Sequence, residues 1–308
     1  RAQASLSEVS KLNPYVKVSV DTTNLSNLTP QELSAWVKPF TCVLVVDASW
    51  QLRRLLNIAC RSQSIGYIDA AVKGVFGQAF VDLGDSFTVL DKDGEEPKEA
   101  QLQFLSQSNP AVVNCIQGIR HELETGDWVK FREMGPRNCS PLNTDKIYPI
   151  TVTGPFSFTV PIDTSSMPVE HLTGGTAVQV KQPVPMKFLS LSESEQTPVF
   201  ADLDLSKPDA AANIHAAWHA LEAFGSQLPE IWNASEADKF IALAKSKLQS
   251  TPSNDALLRV FSYTCRGFFQ PMAAFLGGLV GQEVIKAVTG KFTPLNQWLY
   301  YDMREVVP

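Results

Sequence analysis

The sequence predicts an α/β protein whose sheet domain is interrupted by a small β module and then by a helical module. Three observations carry that expectation. Residues 1 to about 70 alternate helical and strand patterns. Roughly 84–187 is dominated by short strands and turn signals, and from about 188 the hydrophobic period becomes helical again. The stretch FLGGLVGQEVIKAVTGKFTPLNQWLYYD then restores a helix followed by a strand, so the two parts of the α/β domain sit at the two ends of the chain.

The elements follow in order. RAQASLSEVSKLNP places Ala2, Leu6, Val9 and Leu12 on one helical face. YVKVSV alternates as a strand. TPQELSAWVKPF carries Thr29 as N-cap, Pro30 at the first helical position and Glu32 three residues after Thr29, which is a capping box. TCVLVVDA is a continuous apolar strand of the kind buried on both faces of a parallel sheet. SWQLRRLLNIACRSQ is an amphipathic helix and IGYIDA a further strand, giving successive α and β units of a doubly wound sheet. In the middle, DKDGEEP holds the hairpin dipeptide Asp93-Gly94, and AVVNCIQGI, GDWVKFREM, YPITVTGPFSFTV and TAVQVKQPVPMKF read as short strands. LSESEQTPVFADLDLS is irregular. NIHAAWHALEAFGSQ, SEADKFIALAKSKLQS and NDALLRVFSYTCRGFF are amphipathic, with Ser235 and Asp255 as starts, and form a helical bundle.

The terminal glycines raise a phosphate question, and their spacing answers it. A Walker loop ending at Gly290-Lys291 needs glycine at 285 and a hydroxyl after the lysine, but those positions are Ile285 and Phe292. Gly277, Gly278 and Gly281 also miss the dinucleotide spacing. Gly277 and Gly281, one turn apart, instead read as packing glycines that let another backbone come close, and Gly290 as a helix C-cap before Pro294.

Other candidate sites are thin. Asp47 and Asp69, read as strand-end residues, are expected to be caps, since no glycine loop adjoins them. His215 and His219 have the i,i+4 spacing of two metal ligands, but HAAWH lacks the glutamate of the zinc motif and shows no third ligand, so ordinary helix histidines and no metal are expected. Cys42, Cys60, Cys115, Cys139 and Cys265 are odd in number and form no C-x-x-C pair, which suits a reducing cytosol or nucleus. Cys42 is expected buried and Cys139 exposed, with no histidine beside it.

Composition narrows the class. With 308 residues, 44% hydrophobic and 19% charged, the chain is long enough for two or three domains with real cores. A net charge of −6 argues against a general nucleic-acid or anionic-membrane binder. No apolar run is read as approaching a membrane span, and no signal peptide is seen. The start at Arg1, inside a helical pattern, suggests a piece of something longer.

Six motifs together carry a resemblance. GVFGQAFVDLGDSFTVLDKDGEEP, HELETGDWVKFREM, GPFSFTV, GGTAVQVK, NIHAAWHALEAF and GGLVGQEVIKAVTGKFTPLNQWLYYD resemble, in this order, the N-terminal half of eukaryotic ubiquitin-activating enzymes. The likeness runs over nearly the whole chain. It implies an inactive adenylation domain of ThiF type, partially Rossmann-like, at 1–84 and 263–308. It implies the first catalytic-cysteine half-domain at 85–187, which carries no nucleophile in this family, and a four-helix bundle at 188–262. The resemblance implies no ATP site, cofactor, metal or catalytic residue in these segments. ATP and Mg²⁺ belong to the active adenylation domain, which these 308 residues do not match. The family strand that approaches ubiquitin is similar to Val129–Glu133, which makes Lys130, Arg132 and Glu133 the ubiquitin-contact candidates. Period two places Trp128, Lys130 and Arg132 on one face and Val129, Phe131 and Glu133 on the other. The implied partners are ubiquitin, the active adenylation domain and, through other domains, conjugating enzymes.

Two readings compete with the scaffold of a single-chain enzyme. One is the non-catalytic subunit of a heterodimeric ubiquitin-like-protein activating enzyme, which the helical bundle disfavours. The other is an unrelated α/β enzyme working at Asp47 or Asp69, which the lack of a phosphate loop, metal cluster or triad disfavours.

Overall fold

A computed structural model describes residues 2–201, 206–225, 227–248 and 252–304. The chain divides into two compact units, one of residues 1–84, 188–284 and 295–308, the other of 85–187 and 285–294.

The first unit begins with α1 (Ala2–Leu12), α2 (Pro30–Val37), β1 (Cys42–Val46), α3 (Trp50–Ser62), β2 (Gly66–Lys73) and β3 (Phe76–Asp82). The capping box at α2 forms as its sequence dictates: the Thr29 hydroxyl accepts from Glu32 N, and the Glu32 carboxylate accepts from Thr29 N. YVKVSV forms no strand. Tyr15 is 96% exposed and, among the described residues, no neighbouring strand completes a ladder there, so alternation alone does not hold it extended.

The second unit holds β4 (Phe87–Val89), β5 (Glu99–Leu105), β6 (Ala111–Cys115), β7 (Trp128–Arg132), β8 (Tyr148–Pro149), β9 (Thr151–Gly154), β10 (Ser157–Val160), β11 (Thr176–Gln179) and β12 (Val184–Met186). Seven of these strands make one antiparallel sheet in the order β8-β7-β11-β5-β6-β10-β9, and β4 pairs with β12. Its core gathers Leu102, Val113, Phe131, Phe158 and Leu172. Asp93-Gly94 lies in the turn after β4, with Gly94 at φ +71°, a backbone conformation that L side chains rarely adopt.

The rest of the chain supplies α4 (Leu191–Ser194), α5 (Ala210–Phe224), α6 (Ala234–Lys245), α7 (Asp255–Thr264), α8 (Gln270–Thr289) and β13 (Trp298–Asp302). The N-cap of α6 is Asn233, not Ser235: the Asn233 amide oxygen reaches Glu236 N, and Ser235 lies inside the first turn. Asn254 caps α7, which starts at Asp255 as expected. Part of the irregular LSESEQTPVFADLDLS, and the ends of two of the helical stretches, lie outside the described residues. Gly290, at φ +65°, ends α8 with its N–H on Lys286 O.

The first unit's sheet has the order β1-β2-β3-β13. Only β1 and β2 are parallel; β2–β3 is antiparallel because a tight turn at Gly74 (φ +60°) returns the chain directly instead of through a helix, and β3–β13 is antiparallel as well. The fold is thus mixed α/β and not uniformly doubly wound. One face turns Tyr67, Phe80, Trp298 and Tyr300 toward α3 and the α5–α7 helices, whose Leu56, Trp218 and Phe261 complete a single core. On the other face α8 sits close to β3: a Cβ at Gly77 would lie 2.8 Å from Met272 Sδ. β1 is not buried on both sides. Val43 and Val45 are buried, whereas Leu44 and Val46 are exposed, because β1 is a sheet edge and α8 does not cover it.

One sequence expectation about membranes is corrected. At 20 residues α8 is long and apolar enough to cross a membrane by length and composition. Its glycines and alanines leave the window apolar although Glu283 and Lys286 lie within it. In this fold its Met272, Leu276, Val280 and Glu283 are buried in the first unit.

Candidate functional site

In the second unit β7 delivers the alternation that its sequence requires. Val129 and Phe131 are fully buried, Trp128 and Lys130 are half-buried, and Arg132 and Glu133 are exposed. Pairing with β11 fixes the register at Arg132↔Thr176 and Lys130↔Val178. Lys130 is not a free cation: its Nζ lies 3.2 Å from Asp145 Oδ1, and its side chain is only 20% exposed. Arg132 and Glu133 have no ion pair among the described residues. They border a groove of about 310 Å³ whose other walls are Phe131, Asn138, Asn143, Thr144 and Asp145.

The loop beside this groove is bent in a costly way. Glu133 (φ 56°), Arg137 (φ 53°) and Asn138 (φ 57°) occupy the left-handed region without being glycine. Asn143 holds them there. Its amide oxygen accepts from Met134 N at 2.8 Å, and its NH₂ donates to Met134 O at 2.9 Å and to Asn138 O at 3.0 Å. The exposed Cys139 lies on this loop, and the His171 ring comes within 3.1 Å of the Cys139 carbonyl oxygen. A histidine therefore does adjoin this cysteine, contrary to expectation, but it engages the backbone.

The other four thiols are guarded by burial. Cys60, Cys115 and Cys265 are buried and Cys42 is half-buried. Desolvation pushes Cys42, Cys115 and Cys265 up to about 11 and Cys60 up to about 12. A thiol raised in this way is a poor nucleophile at neutral pH.

In the first unit, polar groups gather beneath the sheet where the sequence reading placed caps. Asp69 lies inside β2, fully buried and ion-paired with Arg53. Burial pushes the Asp69 carboxyl up, against the pull of the Arg53 charge. Asp47 is an exposed partner of Lys73 at 2.8 Å, not a cap. Arg53, Asn57 and Arg61, four residues apart along α3, all turn to the sheet: Asn57 donates to Asp82 at 2.7 Å, and Arg61 pairs with Asp82 at 2.6 Å. Arg53, Asn57 and Arg61 at helical spacing mark a polar face on α3, but the β2–β3 register that brings Asp69 and Asp82 to one face of the sheet is not legible in the sequence.

His215 and His219 belong to the same region. The Tyr300 hydroxyl is 2.7 Å from His215 Nδ1, and the two Nε2 atoms are 3.1 Å apart. Trp50 stacks on His219 with centroids 5.0 Å apart. Burial first, and then the positive charge of neighbouring groups, pushes His215 down to about 3 and His219 down to about 4, so both rings are neutral at pH 7. Arg54 bridges Glu195 and Glu222 at 3.0 and 2.8 Å. A cavity of about 630 Å³ opens beside the two rings, walled also by Glu195, Phe200 and Lys247.

The glycines of α8 do not pack as expected within this chain. A Cβ at Gly277, Gly278 or Gly281 would meet nothing within 4 Å. With Leu44, Val46 and Phe268, Gly277 and Gly281 border an open apolar hollow of about 240 Å³. These glycines lie inside a helix and form no strand-to-helix loop, so they do not fit a nucleotide phosphate.

Two family descriptions match the sequence: the ubiquitin-activating enzyme E1 FCCH domain over residues 108–181, and the ubiquitin-activating enzyme E1 four-helix bundle over residues 182–248. Among curated proteins the chain is similar to ubiquitin-like modifier-activating enzyme 6 of Homo sapiens, 39% identical over 316 residues. It is also similar to ubiquitin-activating enzyme E1 2 of Arabidopsis thaliana, 38% identical over 322 residues, and to ubiquitin-like modifier-activating enzyme 1 of Mus musculus, 33% identical over 318 residues. Each alignment takes in 100% of this chain and 29% of the relative.

Proposed function

Since the chain belongs to the ubiquitin-activating enzyme family, we propose that it is the scaffold and modifier-contact portion of such an enzyme. Residues 1–84 and 263–308 serve as the inactive adenylation half, 85–187 as the first catalytic-cysteine half-domain and 188–262 as the four-helix bundle. Elsewhere in the whole protein, an active adenylation domain with ATP and Mg²⁺ activates the C-terminus of ubiquitin or a ubiquitin-like protein, and a cysteine takes it as a thioester for conjugating enzymes. The residues of this chain bind and orient the modifier and supply neither nucleophile nor phosphate site.

The observation that carries the contact role is the end of β7. Arg132 and Glu133 are consecutive and both exposed, without ion pairs among the described residues, at the end of a strand anchored by the buried Val129 and Phe131. Such a pair is free to take opposite charges on a partner, and each exposed contact is worth about 0.2–1 kcal/mol. Lys130, tied to Asp145, contributes less. The test is thioester formation by the whole enzyme. Lys130→Glu with Arg132→Glu is expected to raise the ubiquitin concentration for half-maximal thioester and to leave the ATP dependence nearly unchanged. An unaltered ubiquitin dependence at low salt, where exposed charges act most strongly, overturns the assignment.

A further inference from the structure

We propose that His215 and His219 form a bidentate clamp for a divalent transition-metal ion, zinc foremost, on the wall of the cavity beside α5. The proposal departs from the expectation of no metal, and it is independent of the modifier-contact role.

The argument starts from the helix. Residues four apart on α5 share a face, and here both rings turn their Nε2 atoms toward each other at 3.1 Å. An ion with zinc–nitrogen bonds of about 2.0–2.1 Å spans that gap at an N–Zn–N angle of roughly 100°, within the range of tetrahedral or octahedral sites. Without metal, one proton must lie between the two nitrogens. With metal, each neutral ring carries its proton on Nδ1 and offers the Nε2 lone pair. For His215 an outer partner is already in place, since the Tyr300 hydroxyl lies 2.7 Å from Nδ1 and is able to accept its proton. An outer partner of this kind fixes ring orientation and raises ligand basicity.

The rings are also held still. His219 stacks on Trp50, and His215 meets Trp298 and Phe200 edge-on at 5.1 and 5.4 Å. Of the three cations that act on the rings, two are ion-paired. Arg53 is neutralised by Asp69, and Arg54 by Glu195 and Glu222. Glu195 Oε2 takes Arg54, which leaves Oε1 buried without a hydrogen-bond partner. Lys247 is the remaining cation on the cavity wall. Among the described residues no group of three or more His, Cys, Asp and Glu side chains is arranged to hold a metal. The clamp therefore has two protein donors, and water in the cavity fills the other positions, with Glu195 supplying negative charge in the wall.

The test is zinc titration of the 308-residue chain by calorimetry, in a Cys139→Ser background that removes the exposed thiol. One equivalent is expected to bind below millimolar zinc. His219→Gln, whose amide keeps a hydrogen bond toward His215, is expected to weaken it by roughly tenfold or more. Imidazole ¹⁵N NMR on the unsubstituted histidines gives the same answer without a helix variant: zinc is expected to shift both Nε2 resonances. No binding up to millimolar zinc, binding unchanged in His219→Gln, or unmoved Nε2 resonances would each overturn the clamp and leave a plain hydrogen bond between two neutral rings.

Discussion

Phe131 and Arg132 are neighbours with opposite duties, and the difference can be measured. Phe131 is fully buried in the second unit's core, so Phe131→Ala is expected to destabilise that unit by about 3–5 kcal/mol, read as a lowered denaturation midpoint. Arg132→Ala, at an exposed position, should stay within about 0.5 kcal/mol of the parent. Thiol reactivity offers a second residue-scale check. With the other four thiols pushed up to about 11 or 12 by burial, Cys139 alone is expected to react rapidly with iodoacetamide at pH 8, and all five after unfolding in guanidinium. Mass spectrometry counts the adducts, and rapid native labelling at Cys60 or Cys265 would contradict the packing. At this scale the sequence was legible where periodicity decides, as on β7. It was opaque where a partner decides: nothing local to Lys130 announces Asp145, and nothing local to Asp69 announces Arg53.

Among the elements, capping and turn chemistry were readable in advance. Thr29, Pro30 and Glu32 made the start of α2, and Gly290 made the end of α8, because those motifs satisfy backbone groups within a few residues. YVKVSV and TCVLVVDA misled for the opposite reason, since a strand's existence and its covered faces depend on neighbours far away in the sequence. The glycines of α8 are the sharpest case. Spacing marked Gly277 and Gly281 as a packing face, yet the close approach in this chain is at Gly77. It follows that Gly277→Ala and Gly281→Ala should each stabilise the chain by up to about 1 kcal/mol, since a methyl there meets no neighbour and helix propensity rises. Thermal melts of the two variants decide. A loss of stability would mean that a backbone does approach this face.

For the molecule as a whole, the sequence announced three modules, and six motifs in order announced the family, because ordered motifs across separate segments are rarely coincidental. Two compact units with separate cores emerge. The buried polar network under the first sheet was not announced, since it is assembled from α3, β2, β3, the start of α4 and Gln297 just before β13 together. The chain spans 29% of the length of the relatives it matches, so its proposed part in their chemistry is scaffolding and modifier contact. Ubiquitin-dependent ATP–pyrophosphate exchange by the purified 308-residue chain tests that claim most directly. The account predicts exchange indistinguishable from a no-enzyme control, with exchange appearing only when the active adenylation domain is supplied. Exchange above background by this chain alone, dependent on ubiquitin, would contradict it.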